Sequence, residues 1–395
     1  MPDPHVDLSG LYERALQRRH WLTLALSTAW WTPETAGASN SHQDAQKIRP
    51  MQFPRDHGAH PQTAIEWWYL TGALELASEK ASQSAHIVAP VFGFQITFFR
   101  SRVPVTQGMR SAFAAKQLVF AHAAVTDLKQ GRLHHDQRIA RISGHAQTDL
   151  ATYSQVDTAL KLQDWSLLRT DAGYSAQVKG LDFDFALALT PSQPVLLQGA
   201  SGWSRKGPQA QNASHYYSVP QLNASGQLKL KGQAHKVSGR AWLDHEWSDA
   251  LLDPQAVGWD WVGMNLYDGS ALTAFRLRDR AGQSIWAGGS LRTPDGKLTV
   301  FKPTDLVLTP QRTWHSPHSG ANYPVRWSLE LLLDTGSPGK RRFTIDALLD
   351  DQELDSRRTT GTIYWEGLST LLDDGGRAIG QGYLEMTGYA APLDL

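Results

Sequence analysis

The chain has 395 residues, 41% of them hydrophobic and 19% charged, which is long and apolar enough for about two domains with sizeable cores. Its 38 basic and 38 acidic side chains cancel, and no Lys/Arg run stands out, so nothing points to nucleic acid as a partner. The lack of cysteine excludes disulfides, thiolate zinc sites and a cysteine nucleophile.

Near the start, Arg18 and Arg19 precede an apolar run from Trp21 to Trp31, and an Ala-Gly-Ala end follows at 36–38. That order is the pattern of a secretory signal of the twin-arginine type. The run is too short for a membrane span. The expected location is periplasmic or secreted, with residues 1–48 a leader and linker.

From residue 49 the chain reads as strands. "IVAPVFGFQITFF", "KQLVFAHAAVTDL", "YSAQVKGLDFDFALAL" and "QLKLKGQAHKVSGRAWLDHEW" are rich in β-branched and aromatic residues and in part alternate apolar with polar. Turn signals separate such runs: "DAG" at 171, "NASG" at 223, "YDGS" at 267, "PDGK" at 294 and "DDGG" at 373. The second half continues with "GWDWVGMNLY", "SALTAFRLRD", "WSLELLLD", "RRFTIDALL", "GTIYWEG" and "GYLEMTGY". Helical periodicity is scarce. Many short strands predict an all-β protein of two antiparallel barrels, 49–247 and 248–395.

The densest stretch is "GRAWLDHEWSDALLDPQAVGWDWVGMNLYDG". If Gly239 to Trp247 is a strand, Leu243, His245 and Trp247 share one face, and Trp242, Asp244 and Glu246 the other. Trp259 and Trp261 share a face, with Asp260 opposite. In "AIEWWYLTG", Glu66 and Trp68 fall on one side and Trp67 and Tyr69 on the other. In "GYLEMTGY", Tyr383, Glu385, Thr387 and Tyr389 fall together. Strands carrying acids and aromatics thus occur in both halves, and if they meet they wall a small-molecule site. Half-buried strands alternate in this way by default. The carboxylates flanking His245 are expected to raise its pKa.

Other signals are weak. His57 and His60 beside Asp56, His134 and His135 beside Asp136, and His315 with His318 all lack metal-site spacing, so no metal is expected. There is no Gly-x-Ser-x-Gly elbow, P-loop or dinucleotide fingerprint, and no cofactor is expected.

"FPRDHGAHPQTAIEWWYLTGAL", "HYYSVPQLNASGQLKLKGQAHKVSGRAWLDHEWSD", "GWDWVGMNLYDGSALTAFRLRD", "YPVRWSLEL" and "YWEGL…GQGYLEMTGY" together resemble the lipocalin-like family that includes carotenoid 1,2-hydratase. The likeness is strongest to its exported AttH-like branch and spans about Met51 to Tyr389. It implies two tandem lipocalin-like β-barrels. It also implies water addition to a double bond of an apolar isoprenoid. The hydratase His-x-Trp pair falls on His245 and Trp247. Where that branch has an aromatic and an acid, this chain has Phe275 and Arg276, which leaves Asp244, Glu246 or Asp260 as substitute acids.

The expected function is therefore a hydratase-like lyase. His245, Asp244, Glu246 and Asp260 are its catalytic candidates, and Glu66, Trp67, Trp68, Tyr69, Trp247, Trp259 and Trp261 its substrate-binding candidates. The alternative is a non-catalytic periplasmic lipid carrier, serving an envelope transport system and touching the membrane peripherally. Carbohydrate cleavage, which needs two carboxylates across a groove, is a third reading.

Overall fold

A computed structural model describes residues 49–77, 89–111, 113–144, 149–250, 252–334 and 338–393. The expected leader lies outside the described residues.

The first sheet is built from β1 (Ile65–Leu76), β2 (Phe92–Arg102), β3 (Gln117–Asp127), β4 (Arg132–Ile142), β5 (Ala151–Tyr153), β6 (Ala159–Leu162) and β7 (Trp165–Thr170). It continues with β8 (Gly173–Lys179), β9 (Phe183–Pro191), β10 (Leu196–Leu197), β11 (Trp203–Arg205), β12 (Ala213–Leu230) and β13 (Gln233–Ala250). The second contains β14 (Gly258–Leu266), β15 (Ala271–Arg278), β16 (Ser284–Arg292), β17 (Leu298–Phe301) and β18 (Leu306–His315). Its remaining strands are β19 (Asn322–Asp334), β20 (Pro338–Ala347), β21 (Glu353–Asp355), β22 (Ile363–Leu372) and β23 (Ala378–Met386).

Every pairing is antiparallel. The order of the first sheet is β4-β3-β2-β1-β13-β12-β9-β8-β7-β6-β5, and that of the second β17-β16-β15-β14-β23-β22-β20-β19-β18. Edge strands β4 and β5 come together and nearly close the first sheet; β16 approaches β18 in the second. The fold is thus two tandem lipocalin-like barrels. Closure suits chains of many strands because it removes unpaired edges. Among the described residues the only helical segments are two 3₁₀ turns, Arg55–His57 and Pro104–Thr106, and no helix is long and apolar enough to cross a membrane.

Period-2 alternation explains the cores. Phe92, Phe94, Ile96 and Phe98 of β2 point into the first barrel with Trp68, Leu70, Leu243 and Trp247, and fill it with side chains. Val262, Met264, Trp327, Leu384 and Met386 do the same in the second. The opposite faces of β1, β13, β14 and β23 meet between the barrels, where Tyr69, Trp242, Trp261, Phe275 and Tyr383 form a third cluster.

Two local signals act differently from expectation. "NASG" at 223 is no turn; it lies inside β12, whose long pairing with β13 and β9 overrides its turn propensity. The turn instead falls at Lys231–Gly232, inside a run read as one strand, with both residues at positive φ (48° and 86°). Pro220 cannot donate a ladder hydrogen bond, and the β12–β13 register breaks there, between Val219 and Leu222. The bend puts Gln221 at φ 57° and lets its side chain donate to Leu266 O and Ser270 O (2.9 and 2.8 Å), tying the sheets together.

Candidate functional site

Strand β13 divides the candidate residues between two environments. Its register with β1 pairs Trp68 with His245, Glu66 with Trp247 and Tyr69 with Asp244. Glu66, Trp68, His245 and Trp247 therefore face the interior of the first barrel. Trp67, Tyr69, Asp244 and Glu246 face the second sheet.

The interior group is a closed polar network. Glu66 accepts from Arg100 Nε (2.8 Å) and from the His60 backbone N–H (3.1 and 2.9 Å). Its Oε1 is also 2.7 Å from His60 Nδ1 and 2.9 Å from His245 Nε2. His60 Nε2 reaches Asp56 (3.2 Å), which Arg49 grips with two nitrogens (2.7 and 2.8 Å). Behind His245 the chain continues to the Tyr217 hydroxyl (3.2 Å) and on to His57 (2.8 Å). Indoles hold the imidazole planes: His60 stacks on Trp247 at 3.7 Å and His245 on Trp68 at 4.5 Å.

Burial alone would raise the pKa of Glu66, but hydrogen bonds from His245 and His60 outweigh it and hold the carboxyl far below its ordinary range. Burial lowers His245 to about 4. The expected rise of the His245 pKa is thus overturned, because Asp244 and Glu246 point to the other face and desolvation dominates.

His60 Nδ1, Glu66 Oε1 and His245 Nε2 lie within 4.8 Å of one another, close enough to ligate one ion. Local spacing did not suggest this set, since β-pairing supplies it. Arg100 already neutralises Glu66, and Arg49 neutralises Asp56. The network is complete as a hydrogen-bonded anchor for the segment preceding β1.

The inter-sheet group differs. Asp244 accepts from Trp242 Nε1 and the Tyr216 hydroxyl (2.7 Å each) and from Ser218, with no cation, and burial raises it to about 7. Glu246 pairs with buried Lys206 (2.9 Å) and accepts from Ser214. Lys206 in turn lies over the rings of Tyr216 and Phe275 (4.7 and 4.3 Å). Trp261 Nε1 donates to the Tyr216 hydroxyl (3.2 Å) and Trp259 Nε1 to Glu385 (3.2 Å).

Glu385 lies opposite Glu366 across β22–β23. Burial raises the pKa of both; beyond that, repulsion from Glu385 raises Glu366, and nearby Asp244 and Glu246 raise Glu385. Gly263 is required here: a Cβ would sit 2.4 Å from the Trp261 ring. A cavity of about 450 Å³, lined in part by Thr71, Arg240, Trp242, Gln381 and Tyr383, lies between the sheets against this cluster.

Asp260 belongs to neither group. It points away from Trp259 and Trp261, pairs with Arg276 (2.7 Å) and Arg278 (3.1 Å), and accepts from the Tyr389 hydroxyl (2.9 Å). It is therefore badly placed to replace the acid that Arg276 displaces. Glu366, Lys206, Tyr216 and Tyr364 were missed. Glu366 stood in the quoted "YWEGL", and its alternation with Tyr364 was the available signal.

Residues 44–389 match the AttH-like family. The chain belongs to that family. The matched span takes in both polar groups of this AttH-like protein. Among solved structures it is similar to one from Nitrosomonas europaea assigned to AttH, at 44% identity over 86% of this chain and 98% of that one, with a TM-score of 0.76. It is also similar to kievitone hydratase from Nectria haematococca (13% identity, 88% and 95% covered, TM-score 0.60). CghA in complex with Sch210972 follows (14% identity, 85% and 89% covered, TM-score 0.50). At those identities the last two likenesses concern the fold. No curated protein matches the sequence.

Proposed function

We propose that this AttH-like protein is a hydro-lyase that adds water across a carbon–carbon double bond of an apolar, isoprenoid-like molecule bound between the two sheets. The observation that carries this reading is the Glu366–Glu385 pair, two carboxyls kept from ionising together beside an aromatic wall. Such a pair holds one proton to give and one site to receive, as carboxyl dyads do.

In this reading Glu366 delivers a proton to the substrate. The positive charge that develops is stabilised by the faces of Trp67, Trp259 and Trp261. Glu385, partly open where Glu366 is closed, takes a proton from the attacking water. Asp244 orients Trp242 and Tyr216 through the hydrogen bonds above. Likeness in fold to kievitone hydratase supports the reaction class. A polyene substrate of the carotenoid 1,2-hydratase kind is the finer form of the proposal, as is export through the N-terminal signal.

The test is mass spectrometry of the purified protein with acyclic polyenes, lycopene among them, in ¹⁸O-labelled water. A product heavier by one labelled water, lost in Glu366→Gln, is expected. Unchanged polyene together with a co-purifying lipid would overturn catalysis and leave a carrier of hydrophobic molecules.

A further inference from the structure

Glu366 is almost fully buried, yet a proton donor must be reloaded after every turnover. Tyr364 stands two residues away on the same face of β22 and hydrogen-bonds to it, as do Tyr69 and Gln95. From Tyr364 the contacts run outward. Its hydroxyl lies 2.8 Å from His122 Nδ1 on β3, and His122 Nε2 lies 2.7 Å from Thr359 Oγ1 in the loop before β22. Thr359 Oγ1 lies 2.7 Å from Gln137 Oε1 on β4. His122 is buried and stacks on the Tyr364 ring, whereas Thr359 and Gln137 are half-buried. An unbroken line of hydrogen-bonding groups thus joins Glu366 to the surface.

The polarity of that line follows from its outer end. Gln137 Nε2 donates to Asp355 O (2.9 Å), which leaves the amide oxygen to face Thr359. Thr359 has one hydroxyl proton, and its other partner, Ser356 O, also only accepts. Its oxygen therefore accepts from His122 Nε2–H. Burial lowers His122 to about 3 and keeps it neutral, so its Nδ1 is bare and accepts from the Tyr364 hydroxyl. The Tyr364 oxygen is left to accept the proton of Glu366, a carboxyl whose pKa burial raises. Every group donates outward while Glu366 is protonated. Moving each proton one link reverses the whole line and leaves Glu366 ionised. Imidazole suits such a shift because it takes a proton on one nitrogen and releases one from the other. A concerted shift never charges His122, which its desolvation would oppose.

We infer that Tyr364, His122 and Thr359 form a proton relay that connects Glu366 to solvent and reloads it, an inference that rests on Glu366 being the proton donor of the hydration reading. None of the three touches the substrate; they act through Glu366. Once Glu366 has given up its proton, surface water protonates Thr359 Oγ1, and the hydroxyl proton of Thr359 passes to His122 Nε2. The Nδ1 proton passes to the Tyr364 oxygen, and the Tyr364 hydroxyl proton to Glu366. Only O–H and N–H bonds form and break. Glu385, partly open, returns to solvent the proton it took from the attacking water, so one proton enters and one leaves.

The test needs no substrate. Infrared spectroscopy follows the C=O stretch of the protonated Glu366 carboxyl, identified as the band lost in Glu366→Gln, as it shifts on dilution of the protein into D₂O. Its exchange should slow about tenfold or more in Tyr364→Phe and in His122→Ala, with circular dichroism confirming that both fold. Added imidazole should restore the rate in His122→Ala alone, which a merely structural role for His122 would not allow. Tyr364→Phe keeps the ring and removes only the hydroxyl, so it decides the matter if His122→Ala does not fold. A Glu366 band that exchanges at the wild-type rate in the folded variants overturns the relay and leaves the hydratase reading intact. No Glu366 band in the wild type overturns the relay and the role of Glu366 as acid together. Relay-dependent exchange without hydration of lycopene in ¹⁸O-labelled water supports the relay and overturns the hydratase reading instead.

Discussion

Glu66 and Glu366 are both withdrawn from water, yet their surroundings push their acidity in opposite directions. Glu66 has a guanidinium, two imidazoles and a backbone N–H; Glu366 has tyrosines, an amide and a second carboxyl. Burial is common to both, so partners decide the outcome. A carboxylate matched by cations anchors structure, whereas one left among neutral groups and a like charge keeps a proton to use.

The widest separation between the two comes from deleting each carboxyl. Glu66→Ala leaves Arg100 buried without its counter-charge, and urea unfolding should show a loss of about 3–5 kcal/mol. A wild-type midpoint would remove the anchor role. Glu366→Gln should leave the midpoint at or above that of wild type while reducing turnover by about 10²–10⁴, the usual range for a general acid. Parallel loss of stability and activity would collapse the distinction. Asp260→Asn provides a third buried carboxyl on the anchoring side. It should cost about 1–3 kcal/mol, because Arg276 and Arg278 lose a charged partner, and leave turnover within about twofold. A large drop in turnover would return Asp260 to the catalytic set.

The smallest effect lies in pH dependence. His245, lowered to about 4, is neutral in the folded protein, while the unfolded chain binds a proton below its ordinary value near 6.5. Stability should therefore fall as pH drops from about 6.5 toward 4, by up to about 1.4 kcal/mol per unit for one group. Glu366 has the opposite sign. Its raised pKa means that the folded state holds a proton the unfolded chain loses above about 4.5, so stability should decline as pH rises beyond that value. Thermal melts across pH should show a maximum between these limbs, and Glu366→Gln should make the alkaline one shallower, leaving the part that Glu385 and Asp244, also raised, contribute. An unchanged alkaline limb would remove Glu366 as its cause.

Much of this arrangement was legible in the chain. Alternation in "AIEWWYLTG", "LDHEW", "GWDW" and "GYLEM" assigns each side chain to a face, because successive strand residues must point oppositely. What alternation could not assign was which face met water. The face of Asp244 and Glu246 would ordinarily be solvated, yet the second barrel covers it. His60 joined Glu66 and His245 through a loop folding back, and Gln95 and Glu366 met only because β2 and β22 of different sheets pack together.

The sequence by itself determined the strands, their faces and the family resemblance, since these depend on local side-chain alternation and ordered motifs. Tertiary structure alone decided which carboxyls gained cations and which were left to share a proton, because that depends on distances between strands far apart in the chain.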